Sequence, residues 1–304
     1  MRNKFSEIVY KFSKKNKNIF VVSADISPSG KMAELINKKN FINVGVAEQS
    51  MISICAGLAM SGAKPFAYTI APFALYRPFE MVRNDVCYQN LPVTIVGMGS
   101  GTTYASLGGT HTAIEDVSIA RSIPNLSILA PCDPLELEEC VKYCCTKNKT
   151  PLYLRIGKSG EKILSNNAPE KWKFGKIRKI REGSRICIIT YGPITNLAFE
   201  IADYFNKKYK FAIFSSHTLK PFDFKTVKNI MKNYRMIISI EDHIETGGIT
   251  SILKSCAYEN KYKGKMLNFH LKEKFIKCYG SQKDLQEKHG ISKNIIIKKI
   301  NNLI

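Results

Sequence analysis

Three groups of residues in this chain have types and spacing suited to chemistry. The first is Glu48, which follows the β-leaning run Phe41-Ile42-Asn43-Val44-Gly45 and precedes the small-residue segment Ile52-Ser53-Ile54-Cys55-Ala56-Gly57-Leu58-Ala59-Met60. A lone carboxylate flanked by Val46, Ala47, Met51 and Ile52, at the mouth of a buried helix, is expected to lie out of bulk water. Desolvation there favours the protonated carboxyl, which can donate a hydrogen bond. The competing reading is a helix-start carboxylate that only complements the macrodipole. The second group is the aromatic pair Phe73 and Tyr76, which either faces a core or offers a ring for stacking. The third is the loop Gly99-Ser100-Gly101-Thr102-Thr103-Tyr104-Ala105-Ser106-Leu107-Gly108-Gly109-Thr110-His111. Its glycines let backbone approach a ligand closely, and it delivers His111, a side chain able to move a proton near neutral pH. A lone histidine is otherwise a structural residue.

The surrounding elements place all three groups alike. Phe5, Ile8, Val9 and Phe12 predict a helix over 4–17. Short apolar runs at 19–22, 42–44, 64–70, 93–97, 126–129 and 152–155 read as strands. Helices are expected at about 31–36, from 48, at 79–87, from 113 and at 135–144. In the second half, strands at 186–190, 211–214 and 236–240 alternate with helices at 196–205, 224–232 and 249–258. This alternation predicts an α/β chain of two mostly parallel-sheet domains, 1–160 and 185–304. The charged segment 161–184, which holds the single tryptophan, is expected to be a linker, with room for a short strand. Open parallel sheets hold ligands at the carboxyl ends of their strands. Glu48, Phe73, Tyr76 and His111 all fall there, as does Ser23-Ala24-Asp25-Ile26-Ser27-Pro28-Ser29.

Composition narrows the function classes. At 304 residues the chain is long enough for two ordinary domains with real cores. No stretch approaches the ~18 uninterrupted apolar residues of a membrane span. The basic start, Met1-Arg2-Asn3-Lys4-Phe5, has no apolar segment behind it, so no secretory signal is expected. Nine cysteines without a Cys-x-x-Cys pair point to reduced thiols and a cytoplasmic address rather than a disulfide frame or zinc site. The net charge of +21 would suit nucleic acid. The lysines, however, lack interleaved exposed aromatics or a groove-reading motif, so a solvated basic surface is the expectation, with some of the excess available to anionic substrates or an acidic partner.

In order and spacing, Val44-Gly45-Val46-Ala47-Glu48-Gln49, the aromatic pair and Gly109-Thr110-His111-Thr112-Ala113-Ile114-Glu115-Asp116 resemble the pyrimidine-binding domain of the transketolase superfamily. Arg121-Ser122-Ile123-Pro124-Asn125-Leu126 and Pro131-Cys132-Asp133 match two further landmarks. Thr218-Leu219-Lys220-Pro221-Phe222-Asp223 and Glu241-Asp242-His243 with Gly247-Gly248 resemble the superfamily's C-terminal domain, so the resemblance covers nearly the whole chain. It implies thiamine diphosphate as cofactor, with Glu48 bonded to N1′ of the pyrimidine, Phe73 and Tyr76 lining that ring, and Tyr76 the stacking partner. His111 would lie over the thiazolium side, polarising the donor's oxygen or shuttling a proton. Asp25 would stand near the cofactor and Ser29 near a substrate phosphate. Arg155 would bind that phosphate, with Lys158 as the alternative. In the second domain, His217 and His243 read as structural or interface groups.

Two departures from the superfamily pattern matter. The Gly-Asp-Gly segment that binds diphosphate through a divalent metal occurs nowhere in the chain. The resemblance therefore implies the C-terminal subunit of a split transketolase. Its N-terminal partner subunit would carry the diphosphate-binding domain and Mg²⁺, giving an α2β2 heterotetramer that is active only when assembled. Leu107 and Gly99 also stand where an acidic residue and a histidine are usual. Each lost hydrogen bond is worth ~0.5–1.5 kcal/mol to a hydroxyl-rich acceptor. The expected activity is transfer of a two-carbon ketol unit from a ketose to an aldehyde, the acceptor being an unusual sugar rather than ribose 5-phosphate. The alternatives are a decarboxylating relative, like deoxyxylulose-phosphate synthase or a 2-oxoacid dehydrogenase β chain, and a non-catalytic scaffold.

Overall fold

The fold, taken from a computed structural model describing residues 1–304, divides its strands between two sheets. The first half contributes β1 (Ile19–Ser23), β2 (Phe41–Asn43), β3 (Lys64–Ile70), β4 (Thr94–Met98), β5 (Ser127–Leu129) and β6 (Leu152–Ile156). Between and before them lie α1 (Arg2–Lys15), α2 (Glu48–Met60), α3 (Ala71–Leu75), α4 (Phe79–Met81), α5 (Asp116–Ser122) and α6 (Pro134–Thr146). The second half contributes β7 (Arg178–Arg181), β8 (Arg185–Thr190), α7 (Thr195–Phe205), β9 (Ala212–Ser215), β10 (Thr218–Lys220) and α8 (Phe224–Asn233). It ends with β11 (Tyr234–Ile244), α9 (Ile249–Glu259), β12 (Lys265–Leu271), α10 (Gln282–Lys288) and α11 (Lys293–Asn301). No helix is long and apolar enough to cross a membrane.

The first sheet runs β10-β5-β6-β4-β3-β1-β2 and the second β12-β11-β8-β9-β7. All pairings are parallel except β10 with β5 and β7 with β9, each at a sheet edge. The α/β architecture of two mostly parallel sheets is thus as expected. The short strand for which 161–184 has room is β7, which joins the second sheet because its Ile180 buries against that core. One detail differs from the sequence expectation. Strand β10, from the second half, crosses back to pair with β5, where Thr218 and Leu219 are buried.

Local chemistry explains several boundaries. Asp133 caps α6 by accepting from the Glu136 amide at 2.8 Å, with Pro134 at the first helical position. The helix expected at 79–87 is not uniform: α4 passes into a π-helical turn over Val82–Tyr88. The segment expected at 31–36 is a 3-10 helix, Gly30–Leu35. In α2 the small side chains Cys55, Ala56 and Ala59 form part of the buried face, which lets the helix lie close to the sheet. One apolar cluster runs from Ile52 and Val86 through Leu219 to Ile237 and Leu253, so the two halves share a core.

Candidate active site

The carboxyl ends of the first sheet bring most of the expected residues to one rim. Beyond β2 the chain turns through Gly45 at φ +70, left-handed backbone that suits glycine, and Glu48 opens α2. Asn43 ties two of these strand ends together: its Oδ1 accepts from the amides of Asp25 (3.2 Å) and Gly45 (3.0 Å). Glu48 is 3% exposed. Its Oε2 lies 3.0 Å from Nη1 of Arg77, as an ion pair without hydrogen-bond alignment, so this buried oxygen has no hydrogen-bond partner. A buried carboxylate oxygen left in this state costs free energy unless a donor arrives.

Beyond β3, α3 carries Phe73 and delivers Tyr76. The Tyr76 hydroxyl donates to Glu115 Oε2 at 3.0 Å and accepts from the Glu115 amide at 3.3 Å. Burial, with Asp116 and Glu115 nearby, pushes the Tyr76 phenol well up, so it remains a donor. The loop after β4 places His111 edge-on to Phe73, ring centres 5.1 Å apart, with Tyr104 at 6.3 Å. His111 Nδ1 shares a 2.9 Å contact with the Thr110 hydroxyl. Lys158, past the end of β6, sets its ammonium 4.6 Å over the Tyr104 ring. Leu107 is 47% exposed on the same loop. Asp25 is exposed at the end of β1, while Ser29 turns inward beside α1, its hydroxyl buried and without a partner.

Arg155 corrects the sequence expectation. The structure does not present it to the rim: it is 1% exposed, and its Nε donates to Asp116 at 2.8 Å while Nη2 donates to the Asp242 carbonyl at 3.1 Å. Burial is the largest single influence and favours losing the proton, but Asp116 with Tyr191, Tyr153 and Asp242 together outweigh it and keep the guanidinium charged. The residue does end a strand, but its side chain turns toward the other domain, which sequence spacing cannot reveal. Of the two expected phosphate-binding cations, Lys158 is the one that lies beside the His111 loop, over Tyr104.

The second domain contributes more than expected. Asp242 grips the start of the His111 loop, accepting from the Thr102 amide at 3.0 Å and its hydroxyl at 2.8 Å. A Cβ at Gly101 would meet that carboxylate at 2.3 Å, so glycine is required for the approach. Phe275 and Ile276 line a cavity of about 330 Å³ with Tyr76, Thr110 and Glu115. His217 and His243 are both fully buried: His217 stacks on Trp172, and His243 Nε2 lies 3.9 Å from Asp116. Sequence reasoning does not single out Arg77, Tyr104, Glu115 or Phe275. Arg77 directly follows Tyr76 and Glu115 sits inside the His111 segment, so adjacency is a usable signal for both; nothing local flags Phe275. No group of three or more His, Cys, Asp or Glu side chains is arranged to hold a metal ion.

The rim therefore fits a flat, hydrogen-bonding heterocycle such as the pyrimidine of thiamine diphosphate. It has aromatic walls, an unpartnered buried carboxylate oxygen and a histidine facing one ring edge. Residues 1–160 match the family described as "Transketolase, pyrimidine binding domain", and residues 175–296 match "Transketolase, C-terminal domain". The chain is 29% identical to one subunit of the apulose-4-phosphate transketolase of Actinobacillus succinogenes, over 91% of this chain and 89% of that one. It is also 29% identical to 1-deoxy-D-xylulose-5-phosphate synthase of Clostridium perfringens, over 97% of this chain but 48% of that protein. Among solved structures, a split-gene transketolase chain, in an inactive β4 tetramer, superposes with a TM-score of 0.87. The two are 26% identical, over 99% of this chain and 97% of the other.

Proposed function

The chain belongs to the transketolase family, and from that premise we propose that it is the C-terminal subunit of a split, thiamine-diphosphate-dependent transketolase. It works by moving a two-carbon ketol unit from a ketose to an aldehyde. The observation that carries this reading is the buried Glu48 Oε2, without a hydrogen-bond partner on the rim that holds Phe73, Tyr76 and His111. Glu48 would hold the aminopyrimidine ring, and Phe73 and Tyr76 would line it. When bound, the cofactor supplies a stabilised carbanion for carbon–carbon bond cleavage and formation. This chain's residues bind and orient around it. Glu48 holds or releases a proton at the ring nitrogen, Glu115 fixes Tyr76, and His111 moves a proton at the substrate oxygen. Lys158 offers a charge for a substrate phosphate.

The absence of a Gly-Asp-Gly segment supports a separate partner that supplies the diphosphate and Mg²⁺ site, in an α2β2 assembly of the cytoplasm. One relative is named as a single subunit of its transketolase and another comes from a split gene, which supports the same division. The first relative's name carries a phosphorylated sugar other than ribose 5-phosphate, which supports an unusual sugar phosphate among the substrates. Similarity to deoxyxylulose-phosphate synthase supports a second reading, a decarboxylating enzyme using pyruvate.

Calorimetric titration of thiamine diphosphate and Mg²⁺ tests the assignment, first with this chain alone and then with a partner chain carrying Gly-Asp-Gly. Binding in the mixture alone is expected. Tight binding to the single chain would refute the split site, and no binding in either case would favour a scaffold. Products from a ketose against those from pyruvate separate transfer from decarboxylation. An aldehyde panel tests Leu107, where a clear preference for ribose 5-phosphate would sink the unusual-acceptor reading.

A further inference from the structure

A cavity of about 760 Å³ opens at the amino-terminal ends of β8, β11 and β12, the opposite edge of the second sheet from Glu241 and the α9 start. Its lining is unusual in charge. Arg185, Lys228, Lys232 and Arg235 enter from strand starts and from α8. The turn before β12 adds Lys261 and Lys263, and the first residue of β12 adds Lys265. No aspartate or glutamate side chain lines it and none of these seven cations pairs with one, although Leu303 and the terminal residue Ile304 also line it and Lys265 Nζ donates to the Leu303 carbonyl at 3.1 Å. Helix dipoles account for two of them, since Lys232 closes α8 and Lys261 follows α9. The side chains are exposed, so water screens their mutual repulsion, but together they offer an anion several cations on one face.

Two further features point the same way. Arg185 and Lys261 hold left-handed backbone, φ +63 and +51. Glycine or asparagine would adopt that conformation at lower cost, yet both positions carry a cation at this cavity. Tyr209, Tyr234 and Tyr262 stand among the cations, and the Tyr262 hydroxyl is pinned by donating to the Tyr234 carbonyl at 2.9 Å. Lysines and arginine around half-buried rings suit a compact ligand with several phosphates, bound by charge-assisted hydrogen bonds and by stacking where it carries a base.

We propose that this cavity binds a small polyanion with two or more linked phosphates, either a bare phosphate chain or a nucleotide. The proposal is independent of the transketolase reading, because the cavity shares no residue with the rim.

Isothermal titration calorimetry on the full chain, with inorganic tripolyphosphate and with ATP at low and high salt, tests it. One saturable site per chain is expected, weakening as salt rises. The double variant Arg235→Glu, Lys263→Glu should bind at least about tenfold more weakly with thermal unfolding unchanged, and Glu48→Ala should bind like the parent. Equal affinity for both ligands supports recognition of the phosphate chain, and tighter ATP supports a nucleotide seated on the tyrosines. Should the double variant misfold, Lys228→Gln with Lys232→Gln is read the same way. Absence of saturable binding, binding untouched by these changes, or a single-stranded oligonucleotide outcompeting both ligands would overturn the proposal.

Discussion

The carboxyl edges of the two sheets handle a buried glutamate in opposite ways. At the first, Glu48 keeps one buried oxygen with no hydrogen-bond partner. At the second, Glu241 is fully buried and fully used: it accepts from the amides of Ile249 and Thr250 at 2.9 Å and from the Tyr191 hydroxyl at 3.0 Å. The start of α9 would otherwise offer free N–H groups to an outside anion. Glu241 occupies that place, and Asp242 and His243 beside it face the other domain. Two sheets of one architecture thus present one unmet bonding demand and one that the chain meets itself. The first is the place proposed for a ligand; the second is a clasp.

The comparison can be broken most sharply at Glu48. Glu48→Ala should lower ketol-transfer rates of the assembled enzyme by about 10²–10⁴-fold. The calorimetric melting temperature of the isolated chain should change little, because removing an incompletely hydrogen-bonded buried carboxylate offsets the loss of its ion pair with the half-exposed Arg77. Loss of rate together with loss of fold would mean that Glu48 is structural. Next in size is Arg155→Met, which strands Asp116 without its charge partner. Denaturant titration should show a cost of about 3–5 kcal/mol. If the variant instead folds normally and raises KM for phosphorylated substrates alone, Arg155 belongs to the rim after all.

Glu241→Gln should be milder, about 1–3 kcal/mol, since an amide presents N–H groups to at least one of the donors that the carboxylate satisfied. Binding of cofactor by the assembled enzyme should not change, the reverse of the Glu48 pattern. The smallest effect is at His217. Burial against Trp172 lowers its affinity for a proton, so between its folded value and about 6.5 the unfolded chain binds more protons. Stability is then full above about pH 6.5 and falls as pH drops below it. Melting temperatures measured across that range should show the decline, and His217→Gln should flatten it.

Much of this is legible in sequence because it is local. The alternation of short apolar runs with helices follows from periodicity, and strand ends followed by Glu48, Phe73, Tyr76 and His111 necessarily fall on one sheet edge. What escapes a sequence reading depends on long-range placement. Arg155 ends a strand as expected, but whether it faces ligand or Asp116 is decided by how α5 docks. The apolar character of β10 is visible, yet nothing in Thr218-Leu219-Lys220 announces that its partner is β5 rather than a neighbour in its own half. Asp242 and Phe275 reach the site from a different domain, over sequence separations that no spacing rule bridges.

The exchange of β10 also sets how the molecule responds to being cut. The connection between the halves runs over the surface near residues 157–177, where a protease would find exposed backbone. A nick there leaves the second half still hydrogen-bonded to β5, still buried through Leu219, and still holding the His111 loop by Asp242. Covalent continuity across that segment is then expected to be dispensable for keeping the halves together, which gel filtration of the nicked chain checks. The chain behaves as one body threaded through two sheets, and separating its domains requires unravelling a sheet rather than bending a tether.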